Sequence, residues 1–274
     1  MNAITLILPD LHLRHEQAEQ IIKYVKPDKI IFLGDYFDDF NDNPDMVKET
    51  ADWLSWSIHQ PNRIYIAGNH DIQYAFANRY FKCSGYEQWK DFIINDIVTN
   101  KDWNKLVFYY FLDNKFLLTH AGLHKLHVPN HILDLYKNRD KFYEALDQYL
   151  HEEVIKGFHN EGWIFKAGNA RGGFQRVGGI TWCDTKEFYP IIGLHQIFGH
   201  TPQQYGEAVW IKQDSINSKP YNKLHNRTAL SLKKINNTDC SYNLCLDVWK
   251  DPHYAIWDGE TLIVNGYDDD FAHP

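Results

Sequence analysis

The chain has 274 residues, of which 44% are hydrophobic, and a formal net charge of −8. No apolar run approaches the roughly 18–20 residues that a membrane-spanning helix requires, so we expect no membrane partner. The acidic balance argues against broad nucleic-acid binding, because such binding relies on Lys and Arg to neutralise phosphates. The four cysteines lack the paired spacing of a metal site. We therefore expect free thiols in a reducing compartment, the cytoplasm.

The first third of the chain alternates short apolar runs with amphipathic segments. The runs AITLILPD, KIIFLGD and RIYIAGNHD predict strands, and residues 14–27 and 43–61 between them predict helices. This β-α-β-α-β order predicts a buried sheet, parallel at least in part, with helices on its faces.

The remainder mixes helical segments with further strands. Residues about 72–107 are rich in aromatic side chains and helical in pattern, and residues about 129–156 are helical again. Two strands flank the turn at Asp113 and Asn114, and later strands are predicted in VGGITWCD, HQIFGHTP, YNLCLDVW, YAIWDGE and TLIVNGY. A polar segment of about 203–242 predicts loops or a surface hairpin. We therefore expect one α/β (α+β) domain over residues 1–274, with a helical insertion at 72–107.

Five short polar motifs each follow an apolar run. They are DLH, GDYFD, GNHD, THAG and FGHT, which contain Asp10, His12, Asp35, Asp38, Asn69, His70, Asp71, His120 and His200. Each motif alone could be a turn or a helix cap. Ligands of open α/β sheets bind outside the carboxyl ends of the strands, so these side chains can converge. Carboxylates mixed with imidazoles suit divalent Mn, Fe, Zn or Co, and such ions would neutralise the crowded acids.

The ordered pattern D-x-H, G-D-x-x-D, G-N-H-D, H and G-H resembles the calcineurin-like metallophosphoesterases. The segments THAGL, IFGHTP, ITWCD and LCLDVWKDPHYAIW look closer to the serine/threonine protein phosphatase branch and its bacterial and phage relatives. The resemblance implies a two-sheet β-sandwich flanked by helices, with two divalent metal ions at one edge. Manganese is the ion expected first, and iron, zinc, cobalt and nickel are the alternatives.

The resemblance also implies which residues hold the ions. The first ion would be bound by Asp10, His12 and Asp35. Asp35 would bridge to the second ion, and the other ligands of that ion would be Asn69, His120 and His200.

The same resemblance assigns His70 as the general acid that protonates the leaving oxygen. Asp38 would orient this histidine and raise its pKa, as a neighbouring opposite charge does. A hydroxide that bridges the ions would attack phosphorus in line.

Two positions depart from the family pattern. Asp39 stands where the protein phosphatase branch has an arginine that grips phosphate, and Leu13 stands where a glycine is usual. Another group is then needed for phosphate. The best candidate is Arg171 in GNARGGFQRVGG, because an arginine can offer a bidentate fork. Arg176 is a weaker candidate, and the family implies that Asn69 could also touch the phosphate.

The sequence therefore predicts a metal-dependent hydrolase of phosphate monoesters, either phosphoserine- or phosphothreonine-like or small. Its partner would be a phosphorylated small molecule, nucleotide or protein. A dinucleoside polyphosphate hydrolase is the main alternative, because the missing arginine and the aromatic insertion fit a nucleotide equally well. A nucleic-acid phosphodiesterase is disfavoured by the acidic charge. A non-catalytic metal-binding scaffold is disfavoured because every ligand position and His70 are present.

Overall fold

Two mixed β-sheets form the centre of the protein in a computed structural model that describes residues 2–76, 79–203, 208–224, 229–248 and 253–266. The strands of these residues, in chain order, are β1 Thr5–Leu8, β2 Lys29–Phe32, β3 Arg63–Tyr65, β4 Tyr109–Leu112, β5 Phe116–Thr119, β6 His195–Phe198, β7 Val209–Gln213, β8 Tyr221–Leu224, β9 Leu230–Ser231, β10 Ser241–Cys245, β11 His253–Trp257 and β12 Thr261–Gly266. The α-helices are α1 His15–Val25, α2 Pro44–Ser57, α3 Asn69–Ala75, α4 Gln88–Ile97, α5 Asn100–Trp103, α6 Asn130–Leu133, α7 Arg139–Phe158 and α8 Leu232–Ile235. None of the helices in the described part of the chain is long and apolar enough to span a membrane.

The first sheet has the strand order β3-β2-β1-β11-β12-β9. Strands β1, β2 and β3 run parallel, and α1 and α2 form the crossovers between them. β11 pairs with the other side of β1 in the antiparallel sense. The β-α-β-α-β prediction is thus confirmed, and the carboxyl ends of β1, β2 and β3 lie at one edge of the sheet.

The second sheet has the order β4-β5-β6-β10-β7-β8. β5, β6 and β10 run parallel, and the other neighbours are antiparallel. The carboxyl ends of β5 and β6 therefore also share an edge.

Apolar side chains from both sheets pack into a common layer. Ile7 and Ile31 of the first sheet belong to the same buried cluster as Leu118, Ile197 and Leu244 of the second. A larger cluster fills the space between the first sheet and its helices. Burial of each such side chain contributes about 1.5–3 kcal/mol, so these two layers fix the positions of the strand ends. The predicted two-sheet sandwich with flanking helices is confirmed.

The two crossover helices begin and end at local signals in the sequence. Asn43 caps α2, because its side chain accepts hydrogen bonds from the amides of Asp45 and Met46, and Pro44 occupies the first turn. α1 ends at Val25, and Lys26 caps it with a left-handed backbone and an amide that donates to the carbonyl of Ile22.

Three segments differ from the sequence-based expectations. VGGITWCD is a turn and not a strand, since the carbonyl of Gly179 accepts hydrogen bonds from the amides of Trp182 and Cys183. Residues 129–156 divide into α6 and α7. Within 203–242, β7 and β8 form a hairpin, but β7 lies inside the sheet against β10 and is mostly buried. Residues 204–207 and 225–228 of that segment lie outside the described residues.

Within the predicted insertion at 72–107, the structure places the end of α3, a short 3-10 helix at Arg79–Phe81, and helices α4 and α5. Residues 77 and 78 of this segment lie outside the described residues. The segment packs beside α2 and α3, which brings it close to the residues that follow β2 and β3.

Candidate metal centre and active site

The carboxyl ends of five strands bring the six predicted metal ligands together. They follow β1, β2, β3, β5 and β6 and are Asp10, His12, Asp35, Asn69, His120 and His200. Two overlapping groups of side chains can each hold an ion, with all their donor atoms within 4.8 Å of one another: Asp10, His12 and Asp35, and Asp35, His120 and His200. Asp35 is shared by both groups and is only 2% exposed.

The second group surrounds the Nε2 atom of His120. This nitrogen lies 3.1 Å from Oδ1 of Asn69, 3.1 Å from Nδ1 of His200 and 3.3 Å from Oδ2 of Asp35. The other ring nitrogen, Nδ1, is 2.9 Å from the carbonyl of Leu33 and donates to it, so Nε2 of the neutral ring is an acceptor. With His120 neutral, four atoms that can each offer an electron pair to a cation would lie close together.

The first group is oriented by backbone contacts. His12 donates from Nδ1 to the carbonyl of Asp38 at 2.6 Å, which leaves Nε2 facing Asp35 at 3.9 Å. The carboxylate of Asp10 accepts from the amide of His200 at 2.9 and 3.1 Å. Such partners fix the ring orientation and tautomer of a metal-binding histidine.

The electrostatics of the cluster also favour cations. Burial raises the pKa of Asp10 well above its usual value, and repulsion from Asp247 and Asp35 adds to the effect. Burial lowers the pKa of His120, but Asp35 and Asp10 outweigh burial and raise it to about 9. Ionisation of Asp10 is therefore costly unless positive charge lies close by, and divalent ions would meet this requirement and suit the donor set.

Two glycines let the backbone approach the acidic ligands. A Cβ atom at Gly68 would lie 2.1 Å from Oδ1 of Asp35, and one at Gly199 would lie 1.9 Å from Oδ1 of Asp10. Asp35 and His200 themselves adopt left-handed backbone conformations, with φ of 50° and 68°. Non-glycine residues in this region are strained, and such strain concentrates at functional sites.

Contacts of Leu13 explain how a leucine is accommodated where the family pattern has a glycine. Its φ is 66°, a conformation that a glycine adopts without cost. Its side chain is buried at 7% exposure, and its amide bonds to the carbonyl of Tyr36 at 3.0 Å. Core packing and this hydrogen bond thus offset the strain of a leucine at the site.

His70 and Asp38 form a hydrogen-bonded pair beside the cluster. Nδ1 of His70 lies 2.8 Å from Oδ2 of Asp38, and the rings of His70 and His12 are 5.5 Å apart. Burial lowers the pKa of His70, but the charge of Asp35 and the hydrogen bond with Asp38 outweigh it and raise the pKa well above the ordinary value. A histidine that keeps its proton at neutral pH can donate it to a leaving group.

Asp71 is a positioning residue to which the sequence analysis assigns no role. It is fully buried, and its carboxylate accepts from the amides of Gly68 at 2.8 Å, Asp35 at 2.7 Å and Tyr36 at 2.8 Å. Burial, followed by the charge of Asp35, raises its pKa to about 7. Its place in the first turn of α3 is a capping signal, but the link to the Asp35 loop depends on tertiary structure.

Lys90 is a second residue that sequence reasoning misses. It lies on α4 and contacts Asp38 from a distance of 52 positions along the chain. Gln73 and Tyr74 of α3 also donate to Asp38. No local pattern in the sequence links α4 to the GDYFD motif.

Arg171 lies beside the second group of ligands. Its Nε atom is 2.8 Å from Oδ2 of Asp184, and an Nη atom donates to the carbonyl of His200 at 3.3 Å. Trp182 is also close, with its ring 5.6 Å from that of His200. Arg176 is exposed, and no contact of its side chain with a predicted ligand is found among the described residues.

Asp39 is exposed and forms part of a loop. Its carboxylate accepts a hydrogen bond from the amide of Phe40 at 2.7 Å, and its own amide faces Asp42 at 3.4 Å. The carboxylate therefore bonds within its own loop, which accounts for the tolerance of an acid at this position.

Comparison with known proteins identifies the family of this chain and supports its fold. The family model of the calcineurin-like phosphoesterases matches residues 5–204. A metallophosphoesterase from Sphaerobacter thermophilus is similar in structure with a TM-score of 0.50 and 13% identity, over 100% of this chain and 96% of that chain. The cold-active protein-tyrosine phosphatase of a psychrophilic Shewanella species is similar with a TM-score of 0.51 and 13% identity, over 98% of this chain and 79% of that one.

At these identities the solved structures support the fold alone. No curated protein matches the chain in sequence. The family model spans the segment that contributes every predicted metal ligand, from Asp10 to His200. The chain belongs to the calcineurin-like phosphoesterase family.

Proposed function

We propose that the protein is a dinuclear-metal-dependent phosphatase that hydrolyses phosphate monoesters, either phosphoserine- and phosphothreonine-like or small. The observation that carries the proposal is the pair of ligand groups that share the buried carboxylate of Asp35. A carboxylate has two oxygens and can bridge two ions. The spacing of two such ions, about 3.5–4 Å, suits an in-line displacement at phosphorus.

Each ligand has a place in this scheme. Asp10, His12 and Asp35 would hold one ion. Asp35 would also hold the second ion, together with Asn69, His120 and His200. The ions, with manganese expected first and iron, zinc, cobalt or nickel as alternatives, would supply electrophilic activation of the phosphoryl group and an activated water.

His70 would protonate the leaving oxygen. Its bond to Asp38 at 2.8 Å holds the ring with Nδ1 toward the carboxylate, so that Nε2 is the atom left to deliver a proton. The raised pKa of His70 keeps that proton available at neutral pH.

Arg171 would bind the phosphate oxygens. Its Nε atom lies 2.8 Å from Oδ2 of Asp184, and one Nη atom donates to the carbonyl of His200, beside the second ligand group. The guanidinium has five N–H donors, so others remain for a phosphate. Asn69 could contribute a further contact to the same phosphate.

A substrate panel tests the proposal. We would assay p-nitrophenyl phosphate, bis(p-nitrophenyl) phosphate, a phosphoserine peptide and diadenosine tetraphosphate with Mn²⁺, with chelator, and with the variant Asp35→Asn. We expect the two monoesters to be the fastest substrates, and both chelator and Asp35→Asn to abolish their turnover. Faster turnover of the dinucleotide would replace the monoesterase by a dinucleoside polyphosphate hydrolase. Turnover that persists with chelator would refute the metal mechanism.

A further inference from the structure

Lys90 is a buried lysine whose ammonium group lies between two carboxylates. Its Nζ atom is 3.1 Å from Oδ1 of Asp38, 2.5 Å from Oδ2 of Asp42 and 2.9 Å from the carbonyl of Gly85. The residue is only 2% exposed. An ammonium group has three donors, and all three are used here. Removal of only one partner of a buried ion pair is strongly destabilising, because the other charge is then left buried without a partner.

The carboxylate of Asp38 is held by four donors, two on each oxygen. Oδ2 accepts from His70 at 2.8 Å and from Gln73 at 2.5 Å. Oδ1 accepts from Tyr74 at 2.7 Å and from Lys90 at 3.1 Å. A carboxylate has about four acceptor sites, so this group is saturated and its plane is fixed.

We infer that Lys90 is a positioning residue for His70, acting through Asp38. This inference rests on the proposed function, in which His70 delivers a proton to the leaving oxygen. Lys90 fixes Oδ1 of Asp38, which leaves Oδ2 aligned with Nδ1 of His70. The inference also gives the insertion at residues 72–107 a role, since Gln73, Tyr74 and Lys90 of that segment supply the side-chain donors to the Asp38 carboxylate, other than His70, that are found among the described residues.

Leaving-group dependence separates this role from a general structural one. A p-nitrophenolate departs without a proton, whereas the alkoxide of phosphoserine needs one from the acid. Loss of Lys90 should therefore slow a phosphoserine peptide much more than p-nitrophenyl phosphate. General acids contribute about 10²–10⁴-fold, and we expect misalignment to remove at least about tenfold of that for phosphoserine and less than about threefold for the aryl ester.

The experiment compares Lys90→Met with Tyr74→Phe, which removes a neutral donor from the same oxygen, and with Lys101→Met on the exposed surface of α5. The double variant Lys90→Met/Asp42→Asn leaves no unpaired Asp42 carboxylate and serves if the single variant does not fold. We expect Lys101→Met to match the wild type, and Tyr74→Phe to show a weaker form of the same selective loss. Equal losses on both substrates, or no loss on either, would overturn the inference.

A second readout does not depend on turnover. The Nδ1 proton of His70 should give a low-field NMR resonance that Lys90→Met removes and Lys101→Met retains. If the wild type hydrolyses no phosphoester, the proposed function fails while this resonance still tests the role of Lys90. A resonance that persists unchanged in Lys90→Met would contradict that role.

Discussion

The variant His70→Asn isolates proton donation from metal binding. The backbone amide of His70, which the substitution keeps, donates to Oδ1 of Asp35 at 2.9 Å. The side chain bonds to Asp38, which is not one of the six proposed ligands. Asparagine therefore removes the ionisable group and should leave the metal ligands in place.

The expected loss follows from the role of the acid. A positioned general acid contributes about 10²–10⁴ in rate. Each factor of ten is about 1.4 kcal/mol of activation free energy, so the variant should lose about 2.7–5.4 kcal/mol of transition-state stabilisation. The loss should be larger for phosphoserine than for p-nitrophenyl phosphate, because the alkoxide is the poorer leaving group.

The assay pairs kcat on both substrates with the metal content of the same protein samples. His131→Asn is the matched control, since His131 is exposed on α6 and should show wild-type values for both. Unchanged kcat in His70→Asn would remove this residue from the role of acid. A fall in kcat that accompanies loss of metal would show that the side chain supports the metal site instead.

Further variants test the phosphate site and the acid stability of the fold. Arg171→Ala should raise KM for phosphoesters about tenfold or more, because it removes a charge-assisted phosphate contact, while Arg176→Ala should leave KM unchanged; equal KM values in both variants would place phosphate binding elsewhere. Asp39→Ala should change KM less than about threefold, since this exposed carboxylate bonds within its own loop; a large fall in KM would show that Asp39 repels the substrate. Burial lowers the pKa of His195 to about 3 from an ordinary 6.5, so below pH 6.5 the unfolded chain binds a proton that the folded chain does not. The contribution of neutral His195 to the free energy of unfolding is complete above pH 6.5. It is lost as the pH falls toward 3, at about 1.4 kcal/mol per pH unit. The free energy of unfolding, measured with urea at several pH values between 3 and 6.5, should depend less steeply on pH in His195→Gln, by the equivalent of about one proton. An identical pH dependence in the variant and the wild type would contradict this.

The convergence of the six candidate metal ligands could be predicted from the sequence because their signals are local. Each ligand follows directly on a short apolar run, and the chain direction of parallel strands places such positions at one edge. Asp10 and His200 are 190 positions apart, yet each is marked by its own strand and they are in hydrogen-bond contact. Arg171 is also marked locally, as an arginine directly before two glycines.

Residues that act through tertiary contacts carry no such signal. Lys90 looks like an ordinary helix residue, and only the packing of α4 places it on Asp38. Asp184 becomes the partner of Arg171 through the fold of a turn for which the sequence predicts a strand. The predicted strand does not form because the carbonyl of Gly179 accepts hydrogen bonds from two amides of the same segment. These bonds close a local turn in spite of the apolar pattern.

Strand β7 shows the opposite error. Its apolar residues Val209, Trp210 and Ile211 lie within a long polar segment, so the average composition predicts loops. Pairing with β10 on one side and β8 on the other buries them. Strand propensity depends on the neighbouring strands, which the sequence of the segment does not contain.

The proposed mechanism requires that two metal ions share Asp35. Anomalous diffraction from crystals grown with Mn²⁺ would locate these ions. We expect two anomalous peaks about 3.5–4 Å apart, both in contact with Asp35, one on the side of His12 and the other on the side of His120. A single peak, or peaks that do not contact Asp35, would contradict it.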